Sequence, residues 1–236
     1  MNYLKIIEVL NLSKIYGKGD NQVSALDNVS FDICKGEFVA ILGKSGCGKS
    51  TLLHLLAGLD KPSDGSVFIN NKNIFKMKKE ELTQFRRKNI GVVYQFFNLI
   101  PALNVYENIA LPALFDGKNI SGLNIDGLLQ NLDILKYKNF FPNDLSGGCQ
   151  QRVAIGRALI NKPKILFCDE PTGNLDSKTG RQIMKLLEFY NKKYKQTIVM
   201  VTHDEVLAKR TSRIITMSDG RVVSDVKNCH TNFKRK

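Results

Sequence analysis

The sequence predicts an α/β fold with a parallel-sheet core, an antiparallel β subdomain and an inserted α-helical subdomain. Three observations predict it. Phe38–Leu42, Ile165–Cys168 and Thr197–Val201 are short, continuously apolar runs, as expected of strands buried on both faces. A glycine-rich octapeptide, Gly43 to Ser50, separates the first run from a leucine-rich helical stretch. Between Gln95 and about Ile160 strand signals fade and helix signals take over.

In chain order, Ile6–Leu10, Val29–Ile33 and Ser66–Ile69 read as strands of the antiparallel region, with Asp64-Gly65 as a turn before the last. Lys49 to Leu59 reads as a helix burying Leu52, Leu53, Leu55 and Leu56. Ile90 to Tyr94 is strand-like. From Gly148 a helix sets apolar Val153, Ile155, Ala158 and Leu159 against polar Gln150, Gln151, Arg152 and Arg157. Ser177 to Tyr190 is amphipathic, with Ile183, Leu186, Leu187 and Tyr190 at helical spacing. Asp219-Gly220 between Ile214–Met217 and Arg221–Val223 signals a tight hairpin. No internal repeat or low-complexity linker interrupts the chain. The expected layout is one domain, 1–236. Residues 1–94 and 161–236 form the α/β core with its β subdomain, and 95–160 form the helical subdomain.

Gly43-Lys44-Ser45-Gly46-Cys47-Gly48-Lys49-Ser50 fits G-x-x-x-x-G-K-[ST]. Glycines let the backbone take φ > 0 and approach a ligand, and successive amides form an anion nest at a helix start. Lys49 is expected to reach the β- and γ-phosphates of a nucleoside triphosphate. The Ser50 hydroxyl is expected on Mg²⁺, and Thr51 completes the binding segment. Asp169 ends a buried strand, where one carboxylate suits a hydrated Mg²⁺. Its neighbour Glu170 is placed to polarise the attacking water. The Ser146-Gly147-Gly148 turn stands at a helix N-terminus, with bare amides ready for an anion. A γ-phosphate held by a second copy is the natural ligand; an ordinary Ser-capped helix start is the other reading.

Composition agrees with a cytosolic enzyme. The hydrophobic fraction of 43% supports a substantial core, and no apolar run approaches the length of a membrane span. The N-terminus lacks a signal-peptide layout. Cys34, Cys47, Cys149, Cys168 and Cys229 are scattered and odd in number, unlike a disulfide framework. His54 and His230 read as ordinary surface or helix residues, and no zinc site is expected. The net charge of +13 admits nucleic acid, an anionic membrane surface or a plain solvated face. The lysines are spread without interleaved aromatics, which disfavours nucleic acid. The basic tail Lys234-Arg235-Lys236 suits a membrane surface better.

With these motifs in this order, the chain resembles the nucleotide-binding subunit of ATP-binding-cassette (ABC) transporters over nearly its whole length. Leu145-Ser146-Gly147-Gly148 matches the ABC signature, with Cys149 where the family usually has Gln or Glu. Gln95 falls at the Q-loop, Asn174-Leu175-Asp176 at the D-loop, His203 at the switch histidine and Tyr16 at the adenine-stacking aromatic. The resemblance implies a P-loop NTPase (RecA-like) core and ATP with Mg²⁺ as cofactors. It also implies a homodimer in which each ATP lies between one phosphate loop and the other copy's signature. In that scheme Gln95 is a catalytic residue and a ligand of Mg²⁺, and His203 hydrogen-bonds the γ-phosphate. An integral membrane permease is the implied partner, at the cytoplasmic face of the membrane. Gly173-Asn174-Leu175-Asp176 resembles the subfamily of lipoprotein-release, macrolide-export and antimicrobial-peptide-resistance systems. Asn108 to Pro112 and Asp116-Gly117-Lys118 look most like the peptide-resistance branch. Phe96 to Pro101 would dock a permease helix if Phe96 and Phe97 are exposed; burial of both in the core is the other reading. A non-transport ABC ATPase acting on ribosomes or DNA would keep every motif, but such proteins usually carry two cassettes or a long coiled-coil insertion. A GTPase or kinase would share only the phosphate loop, and no Asn-Lys-x-Asp is present.

Overall fold

The structure, a computed structural model, describes residues 4–228. Strands β1 (Lys5–Tyr16), β2 (Val23–Cys34), β4 (Asp64–Ile69) and β5 (Lys72–Asn73) form an antiparallel sheet in the order β2-β1-β4-β5. Its buried side is lined by Ile7, Val9, Leu12, Leu26, Val29, Ile33, Val67 and Ile69. The second sheet has the order β10-β9-β3-β8-β7-β6. It comprises β3 (Phe38–Leu42), β6 (Ile90–Val93), β7 (Ile165–Asp169), β8 (Thr197–Thr202), β9 (Arg213–Ser218) and β10 (Arg221–Lys227). All neighbours pair parallel except β9 and β10, which form the hairpin expected at Asp219-Gly220.

The central strands feed two cores, because successive side chains point to opposite faces. Ile41, Phe167, Val199 and Val201 join Leu52, Leu55 and the antiparallel sheet on one side. Ala40, Leu166, Cys168 and Met200 join the helices on the other. Those helices are α3 (Val105–Phe115), α4 (Ile125–Asn131), α5 (Gly147–Leu159) and α6 (Ser177–Tyr194). Of these, α3, α4 and α5 lie in the predicted helical stretch. The other helices are α1 (Lys49–Leu56), α2 (Lys79–Asn89) and the short α7 (Glu205–Ala208).

Several expected boundaries move. The helix after the phosphate loop stops at Leu56. Gly58 takes φ 62°, its N–H donates to Leu55 O, and Leu59 N–H donates to His54 O, which together form a Schellman stop. Asp64-Gly65 is not a turn: both residues lie in β4, where Gly65 (φ 87°) crosses a register shift against β1. The turn sits after the strand, at Asn70-Asn71, both with positive φ. The helix expected to begin at Gly148 starts one residue earlier, and the one expected to end at Tyr190 runs to Tyr194. Strands β1 and β2 are each twelve residues long and outrun their apolar stretches. Cys229, His230 and the basic tail lie outside the described residues.

Candidate functional site

Four neighbouring strands, β3, β8, β7 and β6, release their C-terminal ends on one edge of the parallel sheet, where α/β folds bind ligands. A cavity of about 1190 Å³ opens there. Gly43 to Thr51, Gln95, Glu170 and His203 line it, with Ser24 and Ala25 of β2 and Ser218 and Asp219 of the hairpin turn.

The phosphate loop is braced from outside. Gly48 takes φ 98°, and a Cβ there would lie 2.3 Å from Ala25 O, so only glycine fits. Gly220 N–H donates to Cys47 O at 3.1 Å, which ties the hairpin turn to the loop. Lys49 is buried and its Nζ donates to Lys44 O at 2.8 Å, closing the loop across its own mouth. Ser50 Oγ donates to Asp169 Oδ1 at 3.1 Å. These two hard oxygens, from separate elements, suit Mg²⁺, which takes one or two carboxylates and fills its other positions with water and phosphate oxygens. Among the described residues no three of His, Cys, Asp or Glu cluster to hold a metal.

Glu170 follows Asp169 with φ 45°, a left-handed conformation uncommon outside glycine and asparagine. Its N–H donates to Val201 O at 3.1 Å, so the turn is pinned to β8. His203 Nδ1 lies 2.8 Å from both Glu170 oxygens. A carboxylate only accepts, so Nδ1 carries a proton, and Nε2 is left for a ligand. The histidine expected beside the γ-phosphate is therefore also the partner of the adjacent acid.

Gln95 lines the cavity and is tied to the D-loop. Its backbone O accepts from Asn174 Nδ2 at 2.9 Å, and its Nε2 donates to Asn174 Oδ1 at 3.4 Å. Beyond it, Phe97 and Asn98 take φ 58° and 50°. The Arg157 guanidinium donates to both their carbonyls, at 2.8 and 2.6 Å. Burial lowers the Arg157 pKa, and these carbonyls offset part of its lost hydration. The two aromatics divide: Phe96 is 72% exposed, while Phe97 is half-buried and approaches Gly147.

The signature stands apart. None of Leu145 to Cys149 lines the cavity. Ser146 caps α5, its Oγ accepting from Cys149 N–H at 3.4 Å. A Cβ on Gly148 would lie 2.5 Å from Thr179 Cγ2, so this glycine lets the helix start sit against α6. The Cys149 side chain packs toward the helical core. Asp176 caps α6, its Oδ1 accepting from the Lys178 and Thr179 amides. Tyr16 is outside the cavity lining. Its hydroxyl donates to Asp60 Oδ2 at 2.9 Å, the Lys14 ammonium lies 4.7 Å from its ring centroid, and the ring is 41% exposed.

Three supporting residues escaped the sequence reading. The sequence presents Arg157 and Gln151 only as polar positions of a helix, and Asn108 only within a stretch that resembles one branch of the family. Gln151, fully buried, donates to Pro171 O and joins α5 to the segment after Glu170. Asn108, also fully buried, bonds both the N–H and the O of Ile100, fixing the far end of the Gln95 loop. The Asn104-x-x-Glu107 capping box that starts α3 is the local pattern that could have marked this loop end.

A parallel sheet whose strand tips carry this loop, a Ser–Asp oxygen pair and a Glu–His pair defines a P-loop nucleoside triphosphatase. The comparisons narrow the class. The ABC transporter family matches residues 26–173. An uncharacterized ABC transporter ATP-binding protein of Methanocaldococcus jannaschii, MJ0796, is 46% identical over 230 residues, covering 94% of this chain and 97% of that protein. The lipoprotein-releasing ATP-binding protein LolD of Colwellia psychrerythraea is 41% identical, covering 92% and 85%. The macrolide export ATP-binding/permease protein MacB of Bdellovibrio bacteriovorus is 40% identical, covering 93% of this chain and 34% of that protein. A solved dimeric structure of the MJ0796 cassette, in a post-hydrolysis state bound to ADP and Pi, superposes with a TM-score of 0.86 at 43% identity, covering 94% and 99%. The chain belongs to the ABC transporter ATP-binding family and is an ATPase. Among the described residues no helix is long and apolar enough to cross a membrane.

Proposed function

We propose that two copies of this chain close around two ATP–Mg²⁺ and drive an integral membrane permease from the cytoplasmic face. The observation that carries this reading is the separation of Ser146-Gly147-Gly148 from the cavity. In each copy the phosphate loop lines the cavity, while the capped start of α5 stands outside that lining. The dimeric relative bound to ADP and Pi supports it.

Within the closed pair, the loop amides and Lys49 hold the β- and γ-phosphates. Ser50, Asp169 and the Gln95 amide hold the cation. Mg²⁺, when bound, neutralises charge on the β- and γ-phosphate oxygens. Glu170 accepts a proton from the attacking water, and His203 keeps that carboxylate oriented through Nδ1–H while Nε2, also carrying a proton, donates to a γ-phosphate oxygen. Tyr16, with its hydroxyl anchored on Asp60, offers its exposed ring to adenine. The partner's Ser146 to Cys149 segment completes the phosphate shell. Residues 95–160 move as the helical subdomain, and Phe96 presents an apolar side chain to the permease. The Gly173-Asn174-Leu175-Asp176 loop and the likeness to LolD and MacB support the export, lipoprotein-release and peptide-resistance group. Within it we favour the peptide-resistance branch, on Asn108 to Pro112 and Asp116 to Lys118. The basic surface suits an anionic membrane beside the permease.

The test mixes two broken chains. Lys49→Ala removes one half of each site and Ser146→Arg the other. Each variant alone is inactive. In a one-to-one mixture about half the pairs are heterodimers with one intact site, so activity returns. A mixture as inactive as its parents overturns the shared-site reading.

A further inference from the structure

We propose that Asn174 is a positioning residue that decides which atom of the Gln95 amide faces the phosphates. The assignment follows from donor and acceptor chemistry. The Gln95 backbone carbonyl can only accept, so the Asn174 atom 2.9 Å from it is Nδ2. That leaves Oδ1, itself only an acceptor, on the other limb. The Gln95 atom it meets at 3.4 Å is therefore the donor, Nε2. Oε1 is then the Gln95 atom available to the cavity, and an amide binds a hard cation through oxygen alone. An unguided glutamine would offer its nitrogen as readily.

Gly173 makes the room. A Cβ there would lie 2.9 Å from Gln95 Nε2 and 3.3 Å from Cδ, so alanine would push the amide off Asn174. The side chain of Gln95 is free to give way, so the fold survives that change. On the far side Arg157 holds the Phe97 and Asn98 carbonyls, so the loop backbone is fixed while the amide pivots. The backbone bond is the short one and the amide bond the long one. A small rotation of Gln95 breaks the latter and leaves the former in place.

This inference rests on Gln95 as a cation ligand, and the experiment separates the two. Mn²⁺ binding in the presence of saturating AMP-PNP is read by electron paramagnetic resonance, alongside the Mg²⁺ dependence of ATP hydrolysis, for Gln95→Ala, Asn174→Leu, Gly173→Ala and the Asn174→Leu/Gln95→Ala pair. Asn174→Leu and Gly173→Ala are each expected to weaken Mn²⁺ binding by about ten-fold. The pair is expected to match Gln95→Ala alone, because Asn174 acts through Gln95. If Gln95→Ala weakens binding and both D-loop variants match the parent, Asn174 has no positioning role. If the losses in the pair add, Asn174 acts independently and the proposal fails. If Gln95→Ala itself leaves Mn²⁺ affinity unchanged, the ligand reading falls and takes this one with it. Should Asn174→Leu not fold, Gly173→Ala decides alone.

Discussion

His203 Nδ1 is bonded to the Glu170 carboxylate across 2.8 Å, and Glu170 holds its place with a left-handed backbone. The acid is thus fixed twice, by its own strained turn and by a ring from the next strand. Strain of this kind persists when surrounding bonds impose it, and it clusters at working sites.

Glu170→Gln keeps the shape and the hydrogen-bonding capacity but removes the base. Hydrolysis should fall by about 10²–10⁴-fold while ATP binding persists. The variant should accumulate as a dimer when ATP is added, seen by light scattering. Hydrolysis at the parent rate would show that Glu170 is not the base.

His203→Ala should lower kcat with little change in ATP affinity, because the ring acts on the carboxylate and the γ-phosphate and not on the base or ribose. His203→Gln, which can still donate to Glu170, should retain more activity than alanine. A rise in KM at constant kcat would argue against this role.

Arg157→Ala strands two carbonyls held in left-handed backbone. The Phe97 carbonyl is part-buried and the Asn98 carbonyl exposed, so a cost of about 1 kcal/mol is expected, lowering the melting temperature by a few degrees. Arg157→Lys should recover only part, since one ammonium replaces a planar fork that reaches two acceptors. Thermal melts of the three proteins decide it.

Tyr16→Phe loses the bond to Asp60 but keeps the ring. It should bind ATP nearly as well as the parent, whereas Tyr16→Ala should bind about 5- to 150-fold more weakly, since stacking on a base contributes about 1–3 kcal/mol. Equal affinity for both variants would remove Tyr16 from the adenine site.

Asp176 shows a pH effect whose sign is fixed. Hydrogen bonds from Thr179 hold its carboxyl below the ordinary range. A depressed folded-state pKa stabilises the fold above the unfolded pKa, near 3.9, and that contribution is lost as pH falls through the folded value. Asp176→Asn, still able to cap α6, should flatten this part of the acid-side melting profile.

Much of the fold was legible because its signals are local. Glycine spacing gave the phosphate loop, unbroken apolar runs gave β3, β7 and β8, and the period of Ile183, Leu186, Leu187 and Tyr190 gave α6. The edges were harder to read. Asn70-Asn71 turns the chain without glycine, while Gly65, which looks like a turn residue, serves a bulge. The pairing of β9 with β3 and the partners of Asn174, Arg157 and His203 depend on contacts between distant segments, which no window of sequence displays. Residue types could be found this way, but which atom bonds which could not.

The strand order carries a consequence for biosynthesis. Phe38 lies opposite Ile198, so the loop strand acquires its β8 neighbour only after the long stretch between them has been synthesised. Until then no nascent fragment owns both the glycine loop and the histidine. Nucleotide contacts that need both groups stabilise the chain only once β3 and β8 are paired.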